Sequence, residues 1–68
     1  MTDQNAPLAA SRRDLILDLL ARTGSVRVKQ LQDEFGVAPV TLRRDLQQLE
    51  EEGLLVRVHG GAVPPAGG

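Results

Sequence analysis

The fold of this chain is decided by residues 38–62, which read APVTLRRDLQQLEEEGLLVRVHGGA. At about 100° per residue, Leu42, Leu46 and Leu49 fall on one narrow stripe, the repeat that a helix needs to pack on a core. Gly53 is a suitable left-handed stop for that helix. The β-rich run that follows ends in two glycines at 60–61, so the stretch predicts a helix followed directly by a small hairpin.

The exposed face of this helix carries groups that can hold DNA. Arg binds guanine O6 and N7 bidentately, Gln binds adenine N6 and N7, and Val or the Thr methyl contacts the thymine methyl. Two adjacent arginines alone are more often a solvated helix face than a binding site. Here Thr41 and Arg43 flank the leucine stripe, and the residues that point away from it are Val40, Arg44, Gln47, Gln48 and Glu51.

A second, shorter helix is predicted just upstream. Val28, Leu31 and Phe35 repeat at helical spacing. Gly36 closes that helix, and Pro39 takes the first position of the next one, where its fixed φ and missing N–H are suited. The pair is therefore a helix-turn-helix, a unit that places the N-terminal part of its second helix in the major groove.

The hairpin predicts a wing beside the second helix of this unit. Val56 and Val58 share one face of its first strand, with Arg57 between them. The two glycines at 60–61 are expected to supply the positive φ angles of a two-residue turn. The return strand at 62–63 is short, because prolines follow at 64–65 and end the ladder. We expect Arg57 and His59 to reach the flanking backbone or the minor groove.

These motifs together resemble the N-terminal winged helix-turn-helix domain of the DeoR family of bacterial transcriptional repressors. The resemblance covers residues 11–63 and rests on several motifs in order: Arg12 with Ile16 and Leu20, then Phe35-Gly36-Val37, then TLRRDL from Thr41 to Leu46, then GLL at Gly53, and HGGA from His59. It implies sequence-specific binding to operator DNA. It also implies repression of sugar or nucleoside catabolism genes, relieved by a phosphorylated sugar on a separate C-terminal domain.

The chain departs from the family pattern in two places. Ala38 stands where the family usually carries Ser, so the recognition helix loses a side-chain cap worth about 1 kcal/mol. After Val63 the sequence reads PPAGG and stops. We therefore expect residues 64–68 to be a flexible linker toward a C-terminal effector domain that this sequence does not contain.

The charge of the chain is unevenly distributed. The net charge of −1 and the pI of about 5.7 argue against DNA binding if taken as bulk properties. Basic residues nevertheless occupy the helix and the wing, and Lys29, with Arg27, stands at the start of the shorter helix as a candidate phosphate clamp. Acidic residues gather at 50–52, where the helix dipole disfavours carboxylates, and the sequence explains them only as a solvated end held away from DNA. Weak nonspecific binding with a shallow salt slope is expected.

A first helix is predicted upstream of the helix-turn-helix. Ser11 is expected to be its N-cap, with Asp14 completing a capping box. Its predicted apolar face consists of Leu15, Ile16, Leu19 and Leu20, and Gly24 ends it. The alternation in residues 25–28 predicts a short strand that pairs with the wing.

Several functions are disfavoured by composition. The 68 residues include no cysteine, and the single histidine, His59, has too few partners for a metal site. The chain offers no catalytic constellation and no apolar run of about 20 residues, and residues 1–10 lack a basic region followed by a hydrophobic stretch. We expect a cytoplasmic protein that is not an enzyme and binds no cofactor or metal. A winged helix that binds protein is the alternative function.

One acidic residue has a more specific interpretation. Asp45 lies on the edge of the leucine stripe, with no nucleophile or base beside it. We expect it to orient an arginine, either Arg12 or Arg13 from the first helix or Arg43 or Arg44 nearby. Its replacement by Asn is expected to loosen DNA binding.

The sequence therefore predicts an α+β, mainly α, winged helix-turn-helix domain over residues 11–63, with three helices plus a short β-hairpin wing and a disordered tail at 1–10. Double-stranded operator DNA is its expected partner. The fragment is expected to be monomeric, and the full-length protein a homo-oligomer that reads paired half-sites. The predicted DNA-binding residues are Lys29, Pro39, Val40, Thr41, Arg43, Arg44, Gln47, Gln48, Arg57 and His59.

Overall fold

Three helices and three short strands form the domain. The structure is a computed structural model that describes residues 9–66. Its elements are α1 (Ala9–Thr23), β1 (Val26–Arg27), α2 (Val28–Phe35), α3 (Pro39–Glu51), β2 (Val56–Val58) and β3 (Gly61–Val63). This mainly helical arrangement with a small sheet confirms the predicted winged helix-turn-helix. The predictions for residues 1–8 and 67–68, in the tail and the linker, lie outside the described residues.

The core lies where the three helices and the sheet meet. The leucine stripe of α3 is buried as predicted, with Leu42 and Leu46 at 0% exposure and Leu49 at 2%. Burial of such side chains is the main favourable contribution to folding, at about 2 kcal/mol each. The other buried apolar residues come from α1, β1, α2, β3 and the loop before β2: Ile16, Leu20, Val26, Leu31, Phe35, Leu55 and Ala62.

The helix-turn-helix forms as the sequence predicts. Helix α2 ends at Phe35, and Gly36 takes the left-handed conformation at φ 67° while its N–H donates to the carbonyl of Gln32 at 2.9 Å. Helix α3 begins with Pro39, and Ala38 makes no side-chain capping hydrogen bond. The start of the recognition helix therefore depends on Pro39 and on packing rather than on a cap.

The end of α3 is closed by backbone hydrogen bonds. The N–H of Gly53 donates to the carbonyl of Glu50 at 2.9 Å, and the N–H of Leu54 donates to that of Leu49 at 3.0 Å. This pair of bonds is the Schellman motif, which satisfies carbonyls that the last turn leaves unpaired. It turns the chain from the recognition helix directly into the wing.

The first helix begins earlier than the sequence pattern predicts. Ser11 is not its N-cap, because α1 begins at Ala9 and contains Ser11. Alanine has the highest helix propensity, and the two alanines that precede Ser11 favour this earlier start. Leu15 is also not part of the buried face, since it is 47% exposed, whereas Ile16 and Leu20 are buried.

The sheet contains one strand more than the hairpin. Its order is β1-β3-β2, and both pairings are antiparallel. The short strand predicted within residues 25–28 is present as β1, and it pairs with the wing. Ala62 lies opposite both Val26 and Arg57, and residues directly opposite one another point to the same face. Since Val26 and Ala62 are buried, Arg57 lies on the core-facing side of the sheet.

The two glycines of the wing have different roles from those predicted. The turn residues are His59 and Gly60, because Val58 pairs with Gly61. Gly60 has φ 77°, but Gly61 has no positive φ. At Gly61 a Cβ would lie 2.1 Å from the carbonyl oxygen of Val26. Gly60 is therefore required by the turn, and Gly61 by the close approach of β1.

Candidate nucleic-acid interface

The first two turns of α3 present polar and basic groups opposite the leucine stripe. Arg43 and Arg44 are exposed, and Val40 is 61% exposed. Thr41 and Pro39 are half-buried at the flank of the stripe. The helix therefore offers two guanidinium groups, one hydroxyl and one small apolar group at the end that a helix-turn-helix inserts into the major groove.

Further along α3, the exposed face changes from basic to amide and then acidic. Arg44, Gln47, Gln48 and Glu51 line one shallow groove. The Gln47 Nε2 donates to the Glu51 Oε2 at 3.4 Å, so this amide is partly engaged within the helix. Gln48 is exposed. Three of the predicted DNA contacts of α3, Arg44, Gln47 and Gln48, thus share one side of the helix.

The wing turn lies against the start of α2. The N–H of Val28 donates to the carbonyl of Gly60 at 2.9 Å. The groove between them is lined by Arg27, Lys29 and His59 together with the turn glycines. Lys29 and His59 are far apart in sequence, but the structure brings them together with Arg27. Two cationic side chains and an imidazole around one open groove can hold a phosphate.

Arg57 has a different environment from the other predicted contacts. It is half-buried, and its Nε is withdrawn from solvent without a hydrogen-bond partner. The neighbouring Val56 and Val58 point outward instead and are 39% and 47% exposed. Arg57 therefore starts from the inner face of the wing, next to the recognition helix, rather than from its outer surface.

The acidic run at the end of α3 makes contacts within the domain. The Glu50 Oε2 accepts a hydrogen bond from the backbone N–H of Arg57 at 3.0 Å. Glu52 pairs with Arg13 of α1 at 3.6 Å. The sequence explanation, a solvated end alone, was incomplete. The sequence signal for these contacts was the run of carboxylates itself, because the helix dipole disfavours carboxylates at that position unless they have partners.

A buried ion pair joins the recognition helix to α1. The Arg12 Nε donates to the Asp45 Oδ2, and the Arg12 Nη2 donates to the Asp45 Oδ1 at 3.2 Å. Both residues are buried, at 8% and 5% exposure. The hydrogen bond to Asp45 raises the pKa of Arg12 against the opposing effect of desolvation. Of the arginines considered for Asp45, the structure selects Arg12.

Comparison of the sequence with known families identifies the domain type. The model of the DeoR-like helix-turn-helix domain matches residues 12–66. The chain belongs to the DeoR-like helix-turn-helix family. This DeoR-like domain is thus of the DNA-binding type found in transcriptional regulators.

Its curated relatives are longer proteins with regulatory names. The domain is 44% identical over 57 residues to the HTH-type transcriptional regulator GlpR of Haloferax volcanii, covering 84% of this chain and 22% of that protein. It is 47% identical over 51 residues to the lactose phosphotransferase system repressor of Lactococcus lactis, covering 75% and 20%. It is 42% identical over 55 residues to the glycerol-3-phosphate regulon repressor of Escherichia coli, covering 81% and 22%.

The domain spans about a fifth of the length of these relatives. No solved structure matches it significantly. Within residues 9–66, no helix is long and apolar enough to cross a membrane. In the same part of the chain, no group of three or more His, Cys, Asp or Glu side chains is placed to hold a metal ion.

Proposed function

We propose that this DeoR-like domain binds double-stranded operator DNA, with the start of α3 in the major groove and the wing and the start of α2 on the flanking backbone. The observation that carries the proposal is the separation of faces on α3. Its leucines are buried, whereas Val40, Arg43 and Arg44 are exposed at the N-terminal end.

The contacts divide into two kinds. Thr41, Arg43 and Arg44 read base edges, with Val40, Gln47 and Gln48 as further base or backbone contacts. Lys29, Arg27 and His59 hold phosphates from the groove beside the wing turn, which fixes register without reading sequence. Arg57 contributes from the inner side of the wing, and Pro39 sets the entry of the helix.

The longer protein that we propose around this domain is a cytoplasmic repressor of sugar or nucleoside catabolism genes. The support comes from relatives named as repressors of the glycerol-3-phosphate regulon and of the lactose phosphotransferase system. It would act as a homo-oligomer on paired half-sites, and a phosphorylated sugar bound to a C-terminal domain would release it. The isolated domain would be a monomer with weak affinity for one half-site.

The experiment that tests the proposal is an NMR titration of the labelled domain with a random-sequence duplex at low and moderate salt. Shifts confined to Lys29, residues 41–48 and residues 57–61 would support DNA binding through this face. Lys29→Ala should weaken binding, whereas Arg13→Ala, which removes the same charge from α1 beside the acidic end of α3, should not. No shifts at low salt would contradict the proposal and favour a protein-binding winged helix.

A further inference from the structure

The contact between Glu50 and the wing has a geometry that can hold the wing against α3. Val58 and Gly61 close a two-residue turn and exchange ladder hydrogen bonds. In an antiparallel pair such positions alternate, so the next pair, Arg57 and Ala62, exchanges none. The N–H of Arg57 therefore points to the open edge of the sheet, where the Glu50 carboxylate accepts it at 3.0 Å.

The wing is held on one side by β1 and α2, because β3 pairs with β1 and the N–H of Val28 donates to the carbonyl of Gly60. Its strands β2 and β3 contain three residues each, and a hairpin of that size is marginal by itself. Within residues 9–66, strand β2 is an edge strand that pairs only with β3. The charge-assisted hydrogen bond that the middle residue of this strand, Arg57, donates to Glu50 of α3 is thus a direct link between the two elements.

Glu50 also leaves α3 on nearly the same side as Arg43, a predicted base reader. Seven residues separate it from Arg43, so at about 100° per residue the two side chains leave the helix about 20° apart. The side of α3 that holds the wing is therefore continuous with the side that carries Arg43. A fixed wing would hold the half-buried Arg57 side chain at a constant distance from that side of α3.

We propose that Glu50 is a positioning residue that fixes the wing against the recognition helix, and so sets the spacing between the major-groove contacts and the wing contacts. The inference rests on the proposed DNA-binding function. It assigns the Glu50 carboxylate a role that favours DNA binding. Repulsion between this carboxylate and DNA phosphates, taken alone, predicts the opposite effect on binding.

The chain offers matched controls for this proposal. Glu51 is adjacent and exposed, but it accepts from Gln47 within α3 rather than from the wing. Glu51→Ala therefore removes the same charge without touching the wing. Glu50→Gln removes the charge and keeps an acceptor oxygen, whereas Glu50→Ala removes both. Each of the three variants loses one negative charge, and only Glu50→Ala also loses the acceptor for the N–H of Arg57.

The first readout is amide hydrogen exchange of Arg57 without DNA. Glu50→Ala should raise the exchange rate about fivefold or more, because the hydrogen bond contributes about 1 kcal/mol. Glu50→Gln should raise it less, and Glu51→Ala should leave it unchanged. Equal exchange in Glu50→Ala and Glu51→Ala would overturn the positioning role.

The second readout is affinity for a duplex that the wild-type domain enriches from a random library. Glu51→Ala and Glu50→Gln should bind as tightly as the wild type or more tightly. Glu50→Ala should bind about fivefold more weakly than Glu51→Ala, with a salt slope lower by about 1. Equal tightening in all three variants would overturn the proposal. If the wild type enriches no duplex, the proposed function fails, and the exchange measurement still decides whether Glu50 holds the wing.

Discussion

Two individual residues, Arg12 and Asp45, connect the first helix to the recognition helix through the buried ion pair. Removing one partner of such a pair leaves a buried charge uncompensated. We expect Asp45→Asn to lower the free energy of unfolding by about 3 kcal/mol, a large part of the total for a domain of this size. Urea denaturation followed by circular dichroism measures this change.

The control for this prediction removes both charges. Arg12→Met combined with Asp45→Leu should be less destabilised than Asp45→Asn, because no unpaired charge remains. Since folding raises the pKa of Arg12, its stabilisation is fully present below the ordinary arginine pKa. It is lost only as the pH rises through the raised value. The Arg12 contribution should therefore not change between about pH 6 and about pH 8. A loss below about 0.5 kcal/mol in Asp45→Asn would contradict a structural role for the pair.

The glycines of the wing provide a second prediction. Asn tolerates the left-handed conformation, so Gly60→Asn should cost less than about 1 kcal/mol. Gly61→Asn should cost more than about 2 kcal/mol, because its Cβ would meet the carbonyl oxygen of Val26 at 2.1 Å. Thermal unfolding compares the two variants, and faster amide exchange in β1 should accompany the second. Equal costs would show that β1 does not press on Gly61.

Single residues also show where sequence reasoning reached its limit. Adjacent glycines predict a hairpin correctly, because few other residues allow its turn. Which glycine takes the positive φ depends on the pairing register and on the position of β1, and neither is encoded locally. The inward direction of Arg57 has the same origin, since one step of register moves a side chain to the other face.

Among the elements, the recognition helix has an identifiable weakness at its start. Ala38 has the extended conformation of an N-cap, at φ −68° and ψ 148°, but provides no side-chain acceptor. We expect Ala38→Ser to raise the free energy of unfolding by about 1 kcal/mol and the midpoint of thermal unfolding by about 5 °C. Differential scanning calorimetry measures both quantities. Ala38→Val, which also lacks an acceptor, should give no such gain, and an equal gain in both variants would exclude capping as the cause.

The helices were more predictable than the strands for a physical reason. Helix α2 and helix α3 are bounded by Gly36 and Pro39, whose backbone preferences act within one or two residues. The rotational period of α3 then fixes which side chains are exposed, so the exposure of Arg43 and Arg44 follows from the leucine stripe. The predicted start of α1 was wrong, because the preference of Ser11 for an N-cap competes there with the helix propensity of the two alanines before it. The helix propensity prevailed.

For the whole molecule, the distribution of charge matters more than its sum. Basic groups gather at the start of α3 and beside the wing turn, while the acidic run occupies the far end of α3. We expect Lys29→Ala to weaken binding to all duplexes alike and to lower the salt slope by about 1, because a phosphate contact carries no sequence information. Arg44→Ala should instead relax the preference at one position of the site.

Binding assays at several salt concentrations, combined with selection from a random duplex library, measure both effects. Identical behaviour of the two variants would contradict the division between phosphate-holding and base-reading groups. The sequence assigned residues to both sets, because residue type limits the contacts that each can make, and their contacts with DNA stay predictions. It did not predict that Arg27, Lys29 and His59 line one groove, since that depends on the docking of the wing turn on α2.

The order of the strands in the sheet has a consequence for how the domain is made. The central strand, β3, is the latest of the three in the chain, and in the described part of the chain both earlier strands pair only with it. During synthesis the three helices can associate before residues 61–63 leave the ribosome, but neither β1 nor β2 has a neighbour until then. The sheet therefore cannot form before residues 61–63 are available, and a protease cut in the wing turn would break the covalent link between β2 and its pairing partner β3.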